Sequence, residues 1–243
     1  MQVTVTSQKD LPNVCCGPMA EYVLVSGGSG GIGQALCRLL ANAGYHPVIG
    51  FASGAVEAEK LAAEIGGTAV PLDLTSSEQI DESIALIEAG PHDLAGVVLG
   101  ASPPPAIAPV FRLPEGELDR QIAINVAGAH ALLAASVRGI MQRRKAGWVV
   151  GILSEAMGID SVPSKSMGGY VIAKYGLFGL LRTVEAEYSW LKVHSVAPGY
   201  TETPMLRAFD PRFLELMREK TELGRFTSPE SVAEDIMALI KNS

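Results

Sequence analysis

Tyr170 and Lys174, four positions apart in the sequence, are the residues best suited to acid–base chemistry. On a helix this spacing places both side chains on one face. The tyrosine pKa is ordinarily about 10, too high for proton transfer at neutral pH, but a fixed ammonium group nearby stabilises the phenolate and lowers that pKa. Tyrosine and lysine also fall at this spacing by chance on solvated helix faces. The pair therefore gains meaning only from the elements that position it.

A glycine-rich turn within residues 23–33 is the second chemical signal. Three apolar residues lead into it, and a helical pattern begins at Ile32 and stops at Gly44. Glycines let the backbone approach a pyrophosphate closely, and the N-terminus of the following helix offers free N–H groups and a partial positive charge. The order strand, turn, helix predicts nucleotide binding. Two registers fit: G-x-G-x-x-G at Gly28, Gly30 and Gly33, and a second from Ser26-Gly27 to Gly31-Ile32-Gly33.

The remaining elements alternate between strands and helices, which predicts a parallel sheet with right-handed crossovers. We therefore expect an α/β fold: a single Rossmann-type doubly wound parallel sheet with helices on both faces and ligands at the carboxyl ends of its strands. Apolar runs predict strands over 47–50, 68–72, 94–100, 148–153 and 193–197. Helices are predicted over 55–65, 117–142 and 170–188, from a capping box at 75–78 to about residue 89, and from Ser228-Pro229 onward.

Bulk composition limits the classes of protein. Of the 243 residues 48% are hydrophobic, enough for one sizeable core, and a formal net charge of −7 gives no electrostatic case for nucleic acid. Three cysteines make no disulfide framework, so a cytoplasmic location is expected. Residues 1–20 lack the pattern of a signal peptide, and no apolar stretch of about 18 residues would span a membrane. We divide the chain into an N-terminal extension, 1–20, and one domain, 21–243.

With these pieces in order, the chain resembles the short-chain dehydrogenases/reductases, and most closely their 3-oxoacyl-acyl-carrier-protein reductase branch. The glycine turn is similar to the family's T-G-x-x-x-G-I-G, with Ser26 in place of threonine. Tyr170 and Lys174 match its Y-x-x-x-K pair. The other matching pieces are Asp73-Leu74, Asn125 within Ile124-Asn125-Val126, Ser154 after the fifth strand, and the run Pro198-Gly199-Tyr200-Thr201-Glu202-Thr203-Pro204-Met205.

The resemblance implies a catalytic role for four residues. Tyr170 would protonate the carbonyl oxygen as the nicotinamide delivers hydride to the carbon. Lys174 would hold the nicotinamide ribose and lower the tyrosine pKa. Ser154, which directly ends its strand, would hydrogen-bond the substrate oxygen. Asn125 would bend its helix and hold a water that links Lys174 to solvent, although an asparagine there could also merely satisfy backbone groups.

The resemblance also implies a cofactor site, in which Asp73 would accept a hydrogen bond from adenine and Thr203 would contact the nicotinamide carboxamide. A preference for NAD usually comes with a carboxylate at the end of the second strand. Residues 50–54, Gly-Phe-Ala-Ser-Gly, carry no acid there, and Ser53 offers a hydroxyl donor, so NADP(H) is expected. The expected cofactor-binding residues are Gly27, Ser29, Gly31, Ile32, Gly33, Ser53, Asp73, Leu74, Gly100, Tyr170, Lys174, Pro198, Gly199 and Thr203.

Three departures from the family pattern are visible. The family's N-N-A-G after the fourth strand is here Leu99-Gly100-Ala101-Ser102, so the side-chain amides that brace the central sheet are missing. The spacing from the serine to the tyrosine is 16 residues, which predicts an enlarged substrate loop. The sequence also stops after the last helix, so the usual last strand is expected to be lacking.

These features predict an NADP(H)-dependent carbonyl reductase acting on a small-molecule or carrier-bound 3-oxoacyl thioester. Two alternatives remain: an alcohol dehydrogenase for another secondary alcohol (steroid, sugar or polyol), and a catalytically silent dinucleotide-binding partner subunit, which the altered N-N-A-G would favour. No nucleic acid, membrane or metal is expected. Wide apolar helix faces predict a homodimer or a dimer with a related subunit; they carry Ala129, Leu132, Leu133 and Ser136 on one long helix and Leu177, Leu180, Leu181 and Val184 on the other.

Overall fold

One parallel sheet of six strands, in the order β3-β2-β1-β4-β5-β6, organises the chain. The computed structural model describes residues 20–219, 221 and 224–241, so nearly all of the expected N-terminal extension lies outside the described residues. The strand order reverses between β1 and β4, which is the topological switch point where doubly wound folds bind ligands. The strands are β1 Tyr22–Ser26, β2 His46–Phe51, β3 Thr68–Pro71, β4 Leu94–Leu99, β5 Trp148–Ile152 and β6 Lys192–Val196.

Helices cover both faces of this sheet. Every helix whose bounds are predicted above lies within about two residues of them. Helix α3 begins one residue later than the predicted capping box, because Ser76 is its cap and accepts a hydrogen bond from the Gln79 N–H at 3.3 Å. No seventh strand follows the last helix in the described residues. The helices are α1 Gly31–Asn42, α2 Ala55–Ile65, α3 Ser77–Ala89, α4 Glu117–Arg144, α5 Gly168–Glu187, α6 Pro211–Glu219 and α7 Pro229–Ile240.

Two apolar cores lie on opposite faces of the sheet. Successive residues of β1 point to different cores: Leu24 belongs to one, and Val23 and Val25 belong to the other. A strand that is buried on both faces reads as a continuous apolar run, which is why β1 and β4 were recognisable in the sequence. The core on the Leu24 side includes residues of α3, α4 and α5, and the opposite core includes residues of α1, α2 and α7.

Helix α4 corrects one expectation from the sequence. It is long and apolar enough, by length and composition alone, to cross a membrane, whereas no such stretch was expected. Half of the 18-residue window that passes this test is buried inside the fold. Leu132 and Leu133 of that helix belong to the core beneath the sheet, as in a core helix of a globular protein.

Candidate active site

A cleft of about 810 Å³ opens at the carboxyl ends of the strands, as the topology predicts. It brings together every residue that the sequence assigned to the site except Asn125, which is buried beneath it. The predicted residues that line the cleft are Gly27, Ser29, Gly31, Ile32, Gly33, Ser53, Asp73, Leu74, Gly100, Ser154, Tyr170, Lys174, Pro198, Gly199 and Thr203.

The glycine turn between β1 and α1 is so tight that side chains would not fit at several of its positions. Gly27 has a φ of +70°, a conformation that favours glycine. A Cβ on Gly33 would lie 2.3 Å from the carbonyl oxygen of Gly27, so the turn and the first turn of α1 pack directly against each other. A Cβ on Gly31 would lie 2.7 Å from the Thr203 methyl group, which places Thr203 over the start of α1.

The start of α1 is suited to a pyrophosphate. Gly30 caps the helix without a side chain, and the first turn contains no acidic residue. The N–H groups there are not taken up by a side-chain cap, and together with the helix dipole they attract an anion. The residues present therefore fit a dinucleotide at this position.

Ser26 replaces the bracing that the altered N-N-A-G segment lacks. Its fully buried hydroxyl donates to the Val98 carbonyl at 3.1 Å and accepts from the N–H groups of Gly100 and Ala101 at 3.1 and 3.3 Å. A single hydroxyl thus ties the end of β1 to the segment that follows β4. The asparagines expected from the family are not needed to hold these two loops together.

The other end of the cleft carries the residues expected near the adenosine. The Ser29 hydroxyl donates to the Ser53 carbonyl at 3.1 Å, which links the glycine turn to the end of β2. Asp73 uses one carboxylate oxygen to accept from the N–H and the hydroxyl of Thr75, at 2.9 and 2.8 Å. The Glu57 carboxylate approaches Gly54, since a Cβ on that glycine would lie 3.3 Å from it. An acid thus stands near the end of β2, although it comes from the first turn of α2.

Tyr170, Lys174 and Ser154 form the chemical centre of the cleft. The Lys174 side chain is 2% exposed, and its Nζ donates to the Ile152 carbonyl at 2.8 Å. That nitrogen lies 5.5 Å from the centre of the Tyr170 ring, so the i, i+4 spacing does place both side chains together. The Ser154 side chain lies near enough to Tyr170 to affect its pKa, and its hydroxyl accepts from the Ala156 N–H at 3.2 Å, which fixes its orientation.

Burial determines the protonation of this pair more than their mutual charge does. It raises the pKa of Tyr170 above its usual value of 10, against the smaller lowering effect of the hydrogen bond with Ser154. The sequence predicts that the lysine lowers the Tyr170 pKa, whereas the structure shows that this pKa is raised. Burial also lowers the pKa of Lys174 to about 7, because the ammonium loses its hydration. An amine with that pKa is partly protonated at neutral pH.

Asn125 lies in a distorted part of α4. The segment Ala123–Gly128 is π-helical, a local widening that often marks functional positions. The Asn125 amide donates to the main-chain and side-chain oxygens of Gln121 at 3.0 and 3.2 Å. Its Oδ1 is buried and has no hydrogen-bond partner among the described residues, so an acceptor is left available beside the cleft. The structure thus shows a local widening of the helix at Asn125, where the resemblance predicts a bend.

Ser102 and Glu155 are polar residues of the cleft to which the sequence assigned no role. Ser102 lines it, and its buried hydroxyl has no hydrogen-bond partner among the described residues. Glu155 also lines it, directly after Ser154. The position of Ser102 within the altered N-N-A-G was a signal for the first. No signal existed for Glu155, because it lies in the substrate loop, for which the sequence predicts only added length.

Apolar and aromatic side chains close the far end of the cleft. Met167 and Phe209 pack against Tyr170, and Tyr200 lies 6.1 Å from Phe209 between ring centres. The loop between Ser154 and Tyr170 is folded back on itself, since the Ser164 N–H donates to the Ala156 carbonyl at 2.9 Å. The added length thus forms a compact wall for a substrate.

Comparisons with known proteins agree with this geometry. Residues 27–243 match the family described as enoyl-(acyl carrier protein) reductase. The 3-oxoacyl-[acyl-carrier-protein] reductase MabA of Mycobacterium bovis is 32% identical over 88% of this chain and 83% of its own length. The cis-4-hydroxycyclohexanecarboxylate dehydrogenase of Sinomonas cyclohexanicum is 31% identical over 92% of this chain and 91% of its own length.

A solved structure described as ribose-5-phosphate isomerase from Brucella melitensis superposes with a TM-score of 0.83 at 26% identity, covering 91% of this chain and 85% of that one. It supports the fold and not the isomerase reaction, because one fold hosts many reactions. The curated relatives, in contrast, are named as reductases and dehydrogenases. The chain belongs to the enoyl-(acyl carrier protein) reductase family of short-chain dehydrogenases/reductases, oxidoreductases that use nicotinamide dinucleotides.

Proposed function

We propose that the protein is an NADP(H)-dependent carbonyl reductase that converts a ketone into a secondary alcohol with Tyr170 as the general acid. The observation that supports this most strongly is that Tyr170, Ser154 and Lys174 line one cleft, with the lysine Nζ 5.5 Å from the centre of the tyrosine ring. A hydroxyl that can donate a proton and a second hydroxyl that can orient an oxygen are the two groups that carbonyl reduction needs. The presence of Tyr170, Ser154 and Lys174 together in the cleft argues against a catalytically silent subunit.

The nicotinamide, when bound, supplies the hydride. Ser154 donates a hydrogen bond to the carbonyl oxygen of the substrate and holds it beside the tyrosine. The Tyr170 hydroxyl then gives its proton to that oxygen as negative charge develops there. Lys174, with its pKa near 7, returns a proton to the tyrosine, and the free Oδ1 of Asn125 accepts a hydrogen bond along the path from solvent.

The cofactor would be held along the cleft from the glycine turn to Thr203. The pyrophosphate would lie on the N–H groups at the start of α1. Asp73 would bind the adenine, and Pro198, Gly199 and Thr203 would surround the nicotinamide. The neutral end of β2 at Ser53 supports NADP(H), whereas the nearby Glu57 carboxylate weakens that preference. We therefore expect NADPH to be favoured by a moderate factor rather than exclusively.

Turnover tests the reaction. Purified protein should oxidise NADPH in the presence of acetoacetyl thioesters or simple ketones. Removing the Tyr170 hydroxyl by Tyr170→Phe should lower kcat by about 100-fold or more and leave NADPH binding nearly unchanged, because only the proton donor is lost. A Tyr170→Phe protein with near wild-type turnover would contradict the mechanism.

Cofactor choice has its own test. The substitution Ser53→Asp should shift the preference from NADPH towards NADH, because a carboxylate repels the 2′-phosphate and accepts from a 2′-hydroxyl. The control is Glu57→Gln, which should shift it in the opposite direction. An unmodified protein that strongly prefers NADH would refute the NADP(H) assignment.

We propose a 3-oxoacyl thioester, free or carried by an acyl carrier protein, as the substrate. The likeness to MabA supports this class. Another secondary alcohol is the second candidate, and the likeness to a cyclohexanecarboxylate dehydrogenase supports it. The apolar far wall of the cleft suits an acyl chain or a ring equally well, so the ratio of kcat/KM for acetoacetyl thioesters and cyclic ketones distinguishes the two.

Most of the residues expected on the dimer face pack inside the chain, so a different patch must form the interface. Six of those expected on the dimer face, Ala129, Leu132, Leu133, Ser136, Leu177 and Leu181, are buried within the chain itself. Apolar residues exposed on α4 and α5 are instead Leu118, Ile122, Ile172 and Tyr175, between 37% and 43% exposed. We propose a cytoplasmic homodimer, or a dimer with a related subunit, through this patch.

Light scattering at micromolar concentration tests the dimer. Ile122→Glu should convert it to a monomer, because a charge would be buried in the interface. The same substitution at exposed Val56, outside the patch, is the control. A tetramer built through α7 would contradict the proposal. The apolar residues of α7, including Val232, Ile236 and Ile240, are already buried in the chain's own core.

A further inference from the structure

Glu155 is held at the substrate end of the cleft by its backbone. Its N–H donates to the Pro198 carbonyl at 3.0 Å, and its carbonyl accepts from the Gly158 N–H at 2.9 Å. The first bond joins the loop after β5 to the loop after β6, and the second closes a turn within the loop after β5. The residue that follows Ser154 therefore has a fixed position rather than a mobile one.

The Glu155 carboxylate faces the Pro198-Gly199 segment. A Cβ on Gly199 would lie 2.6 Å from its Oε2, so the absence of a side chain at Gly199 makes room for the carboxylate. No hydrogen bond or ion pair of this carboxylate occurs among the described residues. Glu155 is exposed to solvent as well as lining the cleft, so its charge acts on what enters the cleft across a partly solvated space.

The substrate end of the cleft is negative as a result. Of the described residues that line the cleft, only Asp73, Glu155 and Lys174 carry charged side chains. Asp73 lies at the opposite, adenosine end, and Lys174 is buried beneath the tyrosine. The walls around Glu155 consist of neutral side chains: Ala156, Ser161, Val162, Ser164, Met167 and Tyr200.

We propose that Glu155 is a specificity residue that excludes substrates with a carboxylate beside the reacting carbonyl and selects neutral or cationic ones. This inference rests on the proposed carbonyl reduction and deepens it: the substrate is a thioester, ester, amide or amino-ketone, and not the free 3-oxo acid. An acid next to the carbonyl would bring a second negative charge close to Glu155 without a cation to balance either. A thioester or ester would bring no second negative charge, and the N–H of an amide or an ammonium group would also donate a hydrogen bond to the carboxylate.

The expected size of the effect is about tenfold in kcat/KM, as for a pair of charges in a partly solvated cleft. The substitution Glu155→Gln keeps the shape of the side chain and removes its charge. It should not disturb folding, because the residue is held by backbone bonds that glutamine also makes. Asp160→Asn is the matched control, because it removes the same charge from the same loop at an exposed position outside the cleft lining.

The experiment measures kcat/KM with NADPH for three related ketones. They are acetoacetate, acetoacetamide and N-(2-trimethylammonioethyl)acetoacetamide, which carry a negative, zero and positive charge. The ratio between two substrates cancels any change in cofactor binding. In wild-type protein the order should be cation, neutral, anion, and Glu155→Gln should raise the anion-to-neutral ratio about tenfold and lower the cation-to-neutral ratio. Asp160→Asn should leave both ratios unchanged.

Three results would contradict the proposed role of Glu155. If acetoacetamide is reduced but both ratios are the same in wild-type and Glu155→Gln proteins, the role of Glu155 is refuted and the reductase assignment stands. Equal changes in Glu155→Gln and Asp160→Asn would also refute it, because net charge alone would then explain the selectivity. If no member of the series and no acetoacetyl thioester is reduced, the proposed function fails and this inference fails with it.

Discussion

Replacing Lys174 by methionine should inactivate the protein and make its fold more stable at neutral pH. The lysine side chain is buried, and no carboxylate pairs with it among the described residues. Burial lowers its pKa from 10.5 in the unfolded chain to about 7. Folding near pH 8 therefore requires the amine to give up its proton, and that requirement opposes folding. Methionine has a similar volume and carries no charge to desolvate.

The magnitude follows from this difference in pKa. At pH 8 the unfolded amine is protonated and the folded one is mostly neutral, so deprotonation costs about 3 kcal/mol, at about 1.4 kcal/mol per pH unit below the unfolded pKa. The substitution also leaves the Ile152 carbonyl without its donor, which costs about 1 to 2 kcal/mol. A net gain of about 1 kcal/mol remains, which raises the Tm by about 2–4 °C for a chain of this length.

The stability difference between wild type and Lys174→Met should depend on pH, and this dependence tests whether the buried lysine is neutral. Between about pH 7 and 10.5 the unfolded wild-type chain binds one proton more than the folded one, so wild-type stability rises with pH by about 1.4 kcal/mol per unit relative to the variant. The advantage of Lys174→Met should therefore shrink by about 2 kcal/mol between pH 7.5 and 9.0 and reverse sign in that range.

Denaturant unfolding at a series of pH values measures this difference. The control, Lys165→Met, removes an exposed lysine from the substrate loop and should show no such dependence on pH. A stability difference between wild type and Lys174→Met that stays constant from pH 7.5 to 9.0 would refute the reasoning. The lysine would then be charged in the folded state.

Three further predictions concern residues outside the acid–base pair. Ser102→Ala should weaken cofactor binding severalfold by calorimetry with unchanged Tm, because its hydroxyl has no protein partner. Ser26→Ala should lower the free energy of unfolding by about 2 kcal/mol in denaturant titrations, because it removes the acceptor of two N–H groups and a donor to the Val98 carbonyl. Burial and His92 lower the pKa of His46, so stability should fall as the pH drops below about 6.5, and less so in His46→Gln.

The features that the sequence predicted depend on residues close together in the chain. The glycine turn is recognisable because Gly27 to Gly33 must satisfy one local geometry. The Tyr170–Lys174 pair is recognisable because helical spacing alone places it on one face. Both lie where predicted, at the carboxyl edge of a sheet whose order follows from alternating strands and helices.

What escaped prediction depends on contacts between distant segments. Ser26 accepts a hydrogen bond from Gly100, 74 positions away in the sequence. The sequence alone shows that the family's asparagines are absent, but not that Ser26 holds this segment in place. The expected lowering of the Tyr170 pKa was wrong because burial, which no local pattern reveals, raises that pKa. The apolar faces of α4 and α5 were assigned to an interface because hydrophobic periodicity does not tell an internal partner from an external one.

The two halves of the cleft are built from different kinds of interaction, and this explains why the reaction is easier to recognise than the substrate. Backbone bonds from Leu153 to Val196 at 2.7 Å and from Glu155 to Pro198 at 3.0 Å extend the pairing of β5 and β6 past the end of the sheet. Ser154 lies between them, so the group that orients the substrate oxygen is fixed by main chain.

The far wall, in contrast, consists of side chains packed on one another, with Tyr200 near both Phe209 and Phe226 at 6.1 and 5.4 Å between ring centres. Side-chain packing tolerates exchange of one apolar residue for another, whereas the main-chain frame does not depend on which residues are present. Sequence change can therefore reshape the substrate wall while the acid–base groups stay in place. Glu155 is the exception, because its backbone belongs to the main-chain frame while its carboxylate faces the substrate end of the cleft. We therefore expect its charge to limit which substrates the cleft accepts.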